Sequence, residues 1–83
     1  MTEQDLRNAI RRAPRDPHAH LSLADHFLAT GRAPAAEQHY RRAEAFQAPA
    51  RTAFLGVARA CLAQSKLDEA RRAAELVLRN YPG

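Results

Sequence analysis

Residues 16–48 read DPHAHLSLADHFLATGRAPAAEQHYRRAEAFQA, and the same pattern of residue types returns over residues 50–82. The offset between the two copies is 34 residues, since 70 − 36 = 34 for the pair Ala36 and Ala70. A shift by that offset also places Leu21 on Leu55, Ala24 on Ala58 and Leu28 on Leu62. A fixed period of this length, with small residues at fixed places, is typical of a helical repeat protein.

The repeated residues resemble the tetratricopeptide repeat family, whose units are two antiparallel helices with small residues where the helices cross. The first copy matches the family pattern at Leu23, Ala24, Phe27, Gly31, Ala36, Tyr40 and Ala43. The second copy matches at Val57, Ala58, Ala70 and Val77 and closes with Pro82. Five positions depart from it: His20 and Phe54 replace the usual tryptophan, Ser65 replaces the turn glycine, Ala74 replaces an aromatic residue, and Pro49 lies one place late for the closing proline. The resemblance implies an all-α fold of antiparallel helix-turn-helix repeats, an α-solenoid of about two and a half units.

The period divides the chain into one domain over residues 1–83. We expect a leading half-repeat helix at 1–14, a first full repeat at 16–48 and a second full repeat at 50–82. Each full repeat contributes two helices, so the prediction is five helices in all. No stretch alternates between apolar and polar residues as a half-buried strand does.

Capping residues support these boundaries. Thr2 with Asp5 is a variant of the capping box, and Asp16 before Pro17 is a good start for the second helix. Gly31 suits the left-handed conformation that ends a helix. In the last helix, the spacing of apolar residues predicts a buried side made of Ala70, Ala74, Val77 and Leu78.

Composition restricts the classes of function. The net charge of +4 comes from scattered arginines interleaved with acidic residues, which favours a solvated surface over a nucleic-acid site. No apolar run is long enough to span a membrane, and the polar N-terminus is not a secretory signal. Cys61 is the only cysteine, so no intrachain disulfide can form, and we expect a cytoplasmic protein.

Neither catalysis nor metal binding is indicated, and no cofactor is expected. The spacings between the histidines do not put two of them on one helical face, as a metal pair requires: His18, His20, His26 and His39. Cys61 occupies the core position of Phe27 in the sister repeat, where a thiol packs as a small hydrophobe. No nucleophile elbow or glycine-rich phosphate loop is present.

The resemblance implies a binding surface, since the first helix of each repeat lines a concave groove that holds peptides or helices. That face carries His18, Leu21, Ser22, Asp25 and Leu28, and then Thr52, Leu55, Gly56, Arg59 and Leu62. Asp25 faces Arg59 across the two repeats. The family's carboxylate clamp uses Lys and Asn where Leu21, Asp25 and Leu55 stand here, so a receptor for chaperone tails is not expected. The leucines could equally be core residues that pack between helices.

Three functions remain open at this stage. The first is a protein-interaction module that binds an apolar peptide or helix in the groove. The second is a homodimer formed by the C-terminal repeat, whose predicted self-association residues are Phe54, Leu62, Leu78 and Tyr81. In this hypothesis Val77 is also left uncovered. The third is the N-terminal segment of a longer bacterial enzyme.

Overall fold

Five α-helices make up most of residues 2–80, the part of the chain that the computed structural model describes. They are α1 Glu3–Arg12, α2 Pro17–Ala29, α3 Ala33–Ala45, α4 Ala50–Ala63 and α5 Leu67–Asn80. Within these described residues no strand occurs. Each helix packs mainly on its neighbours along the chain, and α2 also touches α4. The predicted all-α fold of five helices is confirmed, whereas the division into repeats remains a prediction.

The predicted helix starts are formed by side-chain caps. The backbone N–H of Asp5 donates to Thr2 Oγ1 at 3.2 Å, and the backbone N–H of Thr2 donates to Asp5 Oδ2 at 3.1 Å. Together these bonds make the capping box at the start of α1. At α2, the backbone N–H of His18 donates to Asp16 Oδ1 at 2.9 Å, and Pro17 occupies the first helical turn.

Three helices end in the same left-handed turn. In each turn, a backbone N–H reaches back five residues to a helical carbonyl at 2.8 Å: Arg32 to Phe27, Ala48 to Ala43, and Lys66 to Cys61. The residue before each donor has a positive φ, namely Gly31 at 79°, Gln47 at 67° and Ser65 at 60°. This is the Schellman arrangement, which satisfies carbonyls that the helix itself leaves without a partner.

The core is built from small side chains at the places where helices meet. The four predicted crossing alanines are all buried and belong to one apolar cluster: Ala24, Ala36, Ala58 and Ala70. Leu23, Tyr40 and Cys61 are the largest side chains that are fully buried. Small residues allow helix axes to approach closely, and larger ones fill the space on either side.

The buried side of α5 differs from the predicted one at its C-terminal end. Ala70, Ala73 and Val77 are buried, whereas Ala74, which was predicted to be buried, is only partly buried and Leu78 is 68% exposed. The buried positions follow steps of three and four residues, and Leu78 lies about 100° around the helix from Val77. The prediction that Leu78 is buried was therefore wrong, and so was the idea that Val77 is uncovered.

Candidate functional site

Two cavities open on the face where α2 and α4 lie side by side. One has a volume of about 320 Å³ and is lined by Asp25, Leu28, Ala29, Tyr40 and Arg59. The other has a volume of about 190 Å³ and shares Asp25, Tyr40 and Arg59 with the first, adding Thr52, Leu55 and Gly56. We call the surface made by Asp25, Leu28, Thr52, Leu55 and Arg59 the inter-repeat groove.

A buried tyrosine connects the two walls of the inter-repeat groove. Tyr40 comes from α3, its side chain is 2% exposed, and its hydroxyl donates a hydrogen bond to Asp25 Oδ1. Burial and the hydrogen bond to Asp25 raise the pKa of Tyr40 well above its usual value, so the phenol remains a donor. The hydroxyl therefore holds one oxygen of the Asp25 carboxylate in place.

Arg59 stands opposite Asp25 without pairing with it. Both side chains line both cavities, yet no ion pair joins Arg59 to any residue in the described part of the chain. Two opposite charges thus face each other across a gap. The cavities that both side chains line have volumes of about 320 and 190 Å³, which leaves room there for a side chain of a ligand.

The other predicted groove residues do not line these cavities. Leu21 is half-buried and packs against both apolar clusters of the core, so it contributes mainly to stability. His18 and Ser22 are exposed near the start of α2, and Leu62 is 58% exposed near the end of α4. Leu28 both lines a cavity and packs on the core. Of these three leucines, Leu21 is therefore a core residue, Leu62 is a surface residue, and Leu28 has both roles.

Gly56 is a buried backbone contact and presents no side chain to a ligand. A Cβ at this position would lie 2.7 Å from Tyr40 Cγ and closer still to two other carbons of the ring. The missing side chain lets α4 pass directly over the tyrosine. This close approach places Arg59, one turn further along α4, above the same cavities.

A second polar cluster lies between α3 and the turn after α4. Glu37 is 9% exposed, and its carboxylate accepts hydrogen bonds from Arg41 at 2.8 Å, Gln64 at 2.8 Å and Lys66 at 3.3 Å. Burial would raise the pKa of Glu37, but the bonds from Gln64, Arg41 and Lys66 outweigh it and lower the pKa to about 2. The acidic residues interleaved with the arginines, Glu37 among them, were predicted to be solvated surface charges, and for Glu37 that prediction was wrong.

The same cluster brings three potential metal ligands together. One carboxylate oxygen from each of Glu37 and Glu69 and the Sγ of Cys61 lie within 4.8 Å of one another. The Glu37 oxygens already accept three donors, and burial raises the pKa of the Cys61 thiol. Hydrogen bonds therefore account for the grouping without an ion.

Two histidines from different helices meet inside the fold. Nδ1 of His20 and Nδ1 of His39 are 3.1 Å apart, and Nε2 of His20 lies 2.8 Å from the carbonyl oxygen of Pro14. Because a carbonyl only accepts, Nε2 of His20 carries the proton, and His39 donates from Nδ1 to Nδ1 of His20. Pairwise spacing along one helix could not reveal this contact.

The predicted self-association residues fall on two different surfaces. Phe54 lines a cleft of about 320 Å³ between α3 and α5, together with Val57, Arg72 and Leu76. Leu78 lies on the other flank of α5, since it is about 160° around the helix from Leu76. Phe54 and Leu78 therefore do not form one patch, which corrects the prediction. Tyr81 lies outside the described residues.

Among residues 2–80, no helix combines the length and the apolar character that a membrane crossing needs.

A tetratricopeptide repeat family model matches the chain over residues 3–50 and again over residues 44–83. Neither the curated proteins nor the solved structures contain a significant match to the chain. The two matched segments together cover nearly all of the sequence, and the five helices have the architecture that the repeat implies. The chain therefore belongs to the tetratricopeptide repeat family.

Proposed function

We propose that the inter-repeat groove binds an apolar peptide or helix of a partner protein. Tetratricopeptide repeat domains generally mediate protein–protein interaction and are typically non-catalytic scaffolds. The observation that carries the proposal for this chain is the pair of adjoining cavities, each with a leucine in its wall, Leu28 in one and Leu55 in the other. Apolar side chains of a ligand fit such cavities, and the polar groups between them orient it.

Selection from a phage-displayed library of random dodecapeptides tests this proposal. Wild-type protein should enrich peptides with spaced apolar residues, and Leu55→Glu should lose them because a carboxylate would enter the apolar wall. Leu76→Glu is the matched control, since Leu76 is 41% exposed and lies on the opposite side, in the cleft with Phe54. Circular dichroism should show the same helicity for both variants. If Leu55→Glu retains the wild-type peptides, the groove is not where they bind.

A second candidate function is self-association through α5. Leu67, Arg71, Ala74 and Leu78 lie along one face of this helix, and the leucines are 65% and 68% exposed. The 34-residue offset relates Leu67, Arg71 and Ala74 to Ala33, Glu37 and Tyr40, which are all buried. In the first repeat a further helix, α4, packs beside α3, so the same face of α5 is suited to contact another helix.

The charges on this face favour a second copy of the chain as the occupant. Two α5 helices that pair antiparallel about a two-fold axis near position 72 bring Leu67 against the partner's Leu78. The same register brings Arg71 near the partner's Glu75. Arg71 already lies 3.5 Å from Asp68 and 3.9 Å from Glu75 of its own helix, but these exposed contacts are weak and can be exchanged.

Analytical ultracentrifugation distinguishes this homodimer from a monomer. Wild-type protein should sediment as a dimer at about 100 μM, a concentration well above a micromolar dissociation constant. Leu78→Asp should be monomeric, because it places a carboxylate in the apolar contact. Leu76→Asp on the opposite flank should remain dimeric. If the wild type is monomeric, or if Leu78→Asp and Leu76→Asp have the same oligomeric state, α5 is not a dimer surface.

A further inference from the structure

The gap between Asp25 and Arg59 is the most specific chemical feature of the inter-repeat groove. Asp25 projects from α2 and Arg59 from α4, and the buried Tyr40, whose hydroxyl donates to Asp25, lines both cavities with them. Tyr40 occupies Oδ1 of the carboxylate, which leaves Oδ2 as an acceptor. The guanidinium of Arg59 offers several donors. The gap therefore offers an acceptor on one side and donors on the other.

Charge selects among the groups that this gap could hold. An acidic side chain would pair with Arg59 but would be repelled by Asp25, and a basic side chain meets the reverse problem. A neutral group that donates and accepts at once satisfies both residues. A primary carboxamide does so, because its NH₂ donates and its carbonyl oxygen accepts within one plane.

We propose that Asp25, Tyr40 and Arg59 form a subsite for the carboxamide side chain of Asn or Gln in a peptide ligand. The residues on either side of this Asn or Gln are apolar, and they enter the cavities walled by Leu28 and by Leu55. This inference rests on the groove as the binding surface, and it adds the chemical class of the ligand. Asp25 accepts from the carboxamide nitrogen, and Arg59 donates to the carboxamide oxygen.

Gly56 and Tyr40 hold this subsite in its geometry. Because no side chain separates α4 from the tyrosine ring, the ring is packed tightly and its hydroxyl is fixed in position. A fixed hydroxyl holds the Asp25 carboxylate before a ligand arrives. Such preorganisation lowers the entropy that binding must overcome.

Peptide selection with single variants tests the subsite, because removing either charge should change which side chain is preferred. Wild-type protein should enrich Asn or Gln between apolar residues. Arg59→Ala leaves Asp25 alone and should shift the enriched residue to Lys or Arg. Asp25→Asn still accepts from Tyr40, leaves Arg59 as the only charge, and should shift the preference to Asp or Glu. Arg72→Ala, in the cleft on the other side, is the matched control and should select the wild-type peptides.

The outcomes separate this inference from the proposed function. Apolar peptides with no preferred residue between them would overturn the carboxamide subsite and leave the groove standing. Enrichment of acidic peptides by the wild type would overturn the subsite as well. So would selection of the same peptides by the wild type, Arg59→Ala and Asp25→Asn. If no peptide is enriched, the groove and the subsite both fall.

Affinity measurements on one enriched peptide provide a second readout. Replacing its Asn or Gln by Leu or by the corresponding acid should weaken binding about tenfold, since Leu makes neither hydrogen bond and the acid is repelled by Asp25. An alanine replacement that leaves the fluorescence anisotropy titration unchanged would show that the side-chain amide is not recognised.

Discussion

At the scale of single residues, the left-handed turn that follows α2, α3 and α4 is formed by three different residue types. Gly31 takes a φ of 79° without a steric penalty, whereas Ser65 at 60° and Gln47 at 67° bring a Cβ close to the following carbonyl oxygen. The same hydrogen bonds are made in all three turns. Backbone strain therefore distinguishes positions that are otherwise equivalent.

Replacing Ser65 by glycine should stabilise the protein by about 0.5–1 kcal/mol. The substitution removes a left-handed penalty of about 1–2 kcal/mol and adds a smaller loss of backbone entropy on folding. The midpoint of thermal unfolding should rise by about 2–8 °C for a domain of this size. The reciprocal variant Gly31→Ser should lower it. A Ser65→Gly protein that melts below the wild type would contradict the assignment of strain to this turn.

At the scale of elements, the contact of α4 with α3 depends on a single missing side chain. Gly56 lies inside α4, where glycine is unfavourable by about 1 kcal/mol relative to alanine. The same residue allows the helix to lie against the ring of Tyr40. Helix propensity and packing therefore act in opposite directions at this position.

Packing should dominate when Gly56 is changed to alanine. The new methyl group would overlap the buried ring of Tyr40, and such overpacking costs about 1–3 kcal/mol. The gain in helix propensity of about 1 kcal/mol offsets only part of that cost. Urea denaturation should show a lower midpoint for Gly56→Ala. Thr52→Ala, at an exposed position of the same helix, should unfold close to the wild-type midpoint, and an equal midpoint for Gly56→Ala would show that the ring can move aside.

The elements themselves could be predicted from the sequence because their signals are local. Thr2 and Asp16 mark helix starts through caps made within three residues, and Gly31 marks a turn by its own backbone freedom. Gln47 gives no such signal, since glutamine rarely favours a left-handed φ. The turn at Gln47 could be predicted only from Pro49, which follows it in the sequence.

The site was harder to predict, because its contacts join residues that are far apart in the chain. Asp25 and Arg59 could be placed on one face by the 34-residue period. The polar cluster around Glu37 could not be predicted in this way. Two of its donors, Gln64 and Lys66, lie 27 and 29 residues further along the chain. The separation of Phe54 from Leu78 depends on how α4 and α5 are rotated about their axes. A period gives the spacing of residues, but it does not give that rotation.

At the scale of the whole molecule, buried titratable groups link stability to pH. His39 comes from α3 and faces Arg7 of α1, His20 of α2 and Arg42 of its own helix. Burial, and then repulsion by Arg42, His20 and Arg7, lower the pKa of His39 to about 4. The native state therefore keeps this imidazole neutral in a pH range where the unfolded chain protonates it.

Acid should consequently destabilise the protein in two separate ranges of pH. His39 has an ordinary pKa of 6.5 and a native pKa of about 4, so its contribution is complete above pH 6.5 and is lost as the pH falls towards 4. Glu37 has an ordinary pKa of 4.5 and a native pKa of about 2, so its contribution is lost only between those lower values. Between pH 7 and pH 5 the free energy of unfolding should fall by about 1–2 kcal/mol through His39. His39→Gln can still donate to His20 but cannot titrate, so urea unfolding of this variant should show a smaller loss over the same range. Parallel pH profiles for the two proteins would mean that His39 is readily protonated in the native state.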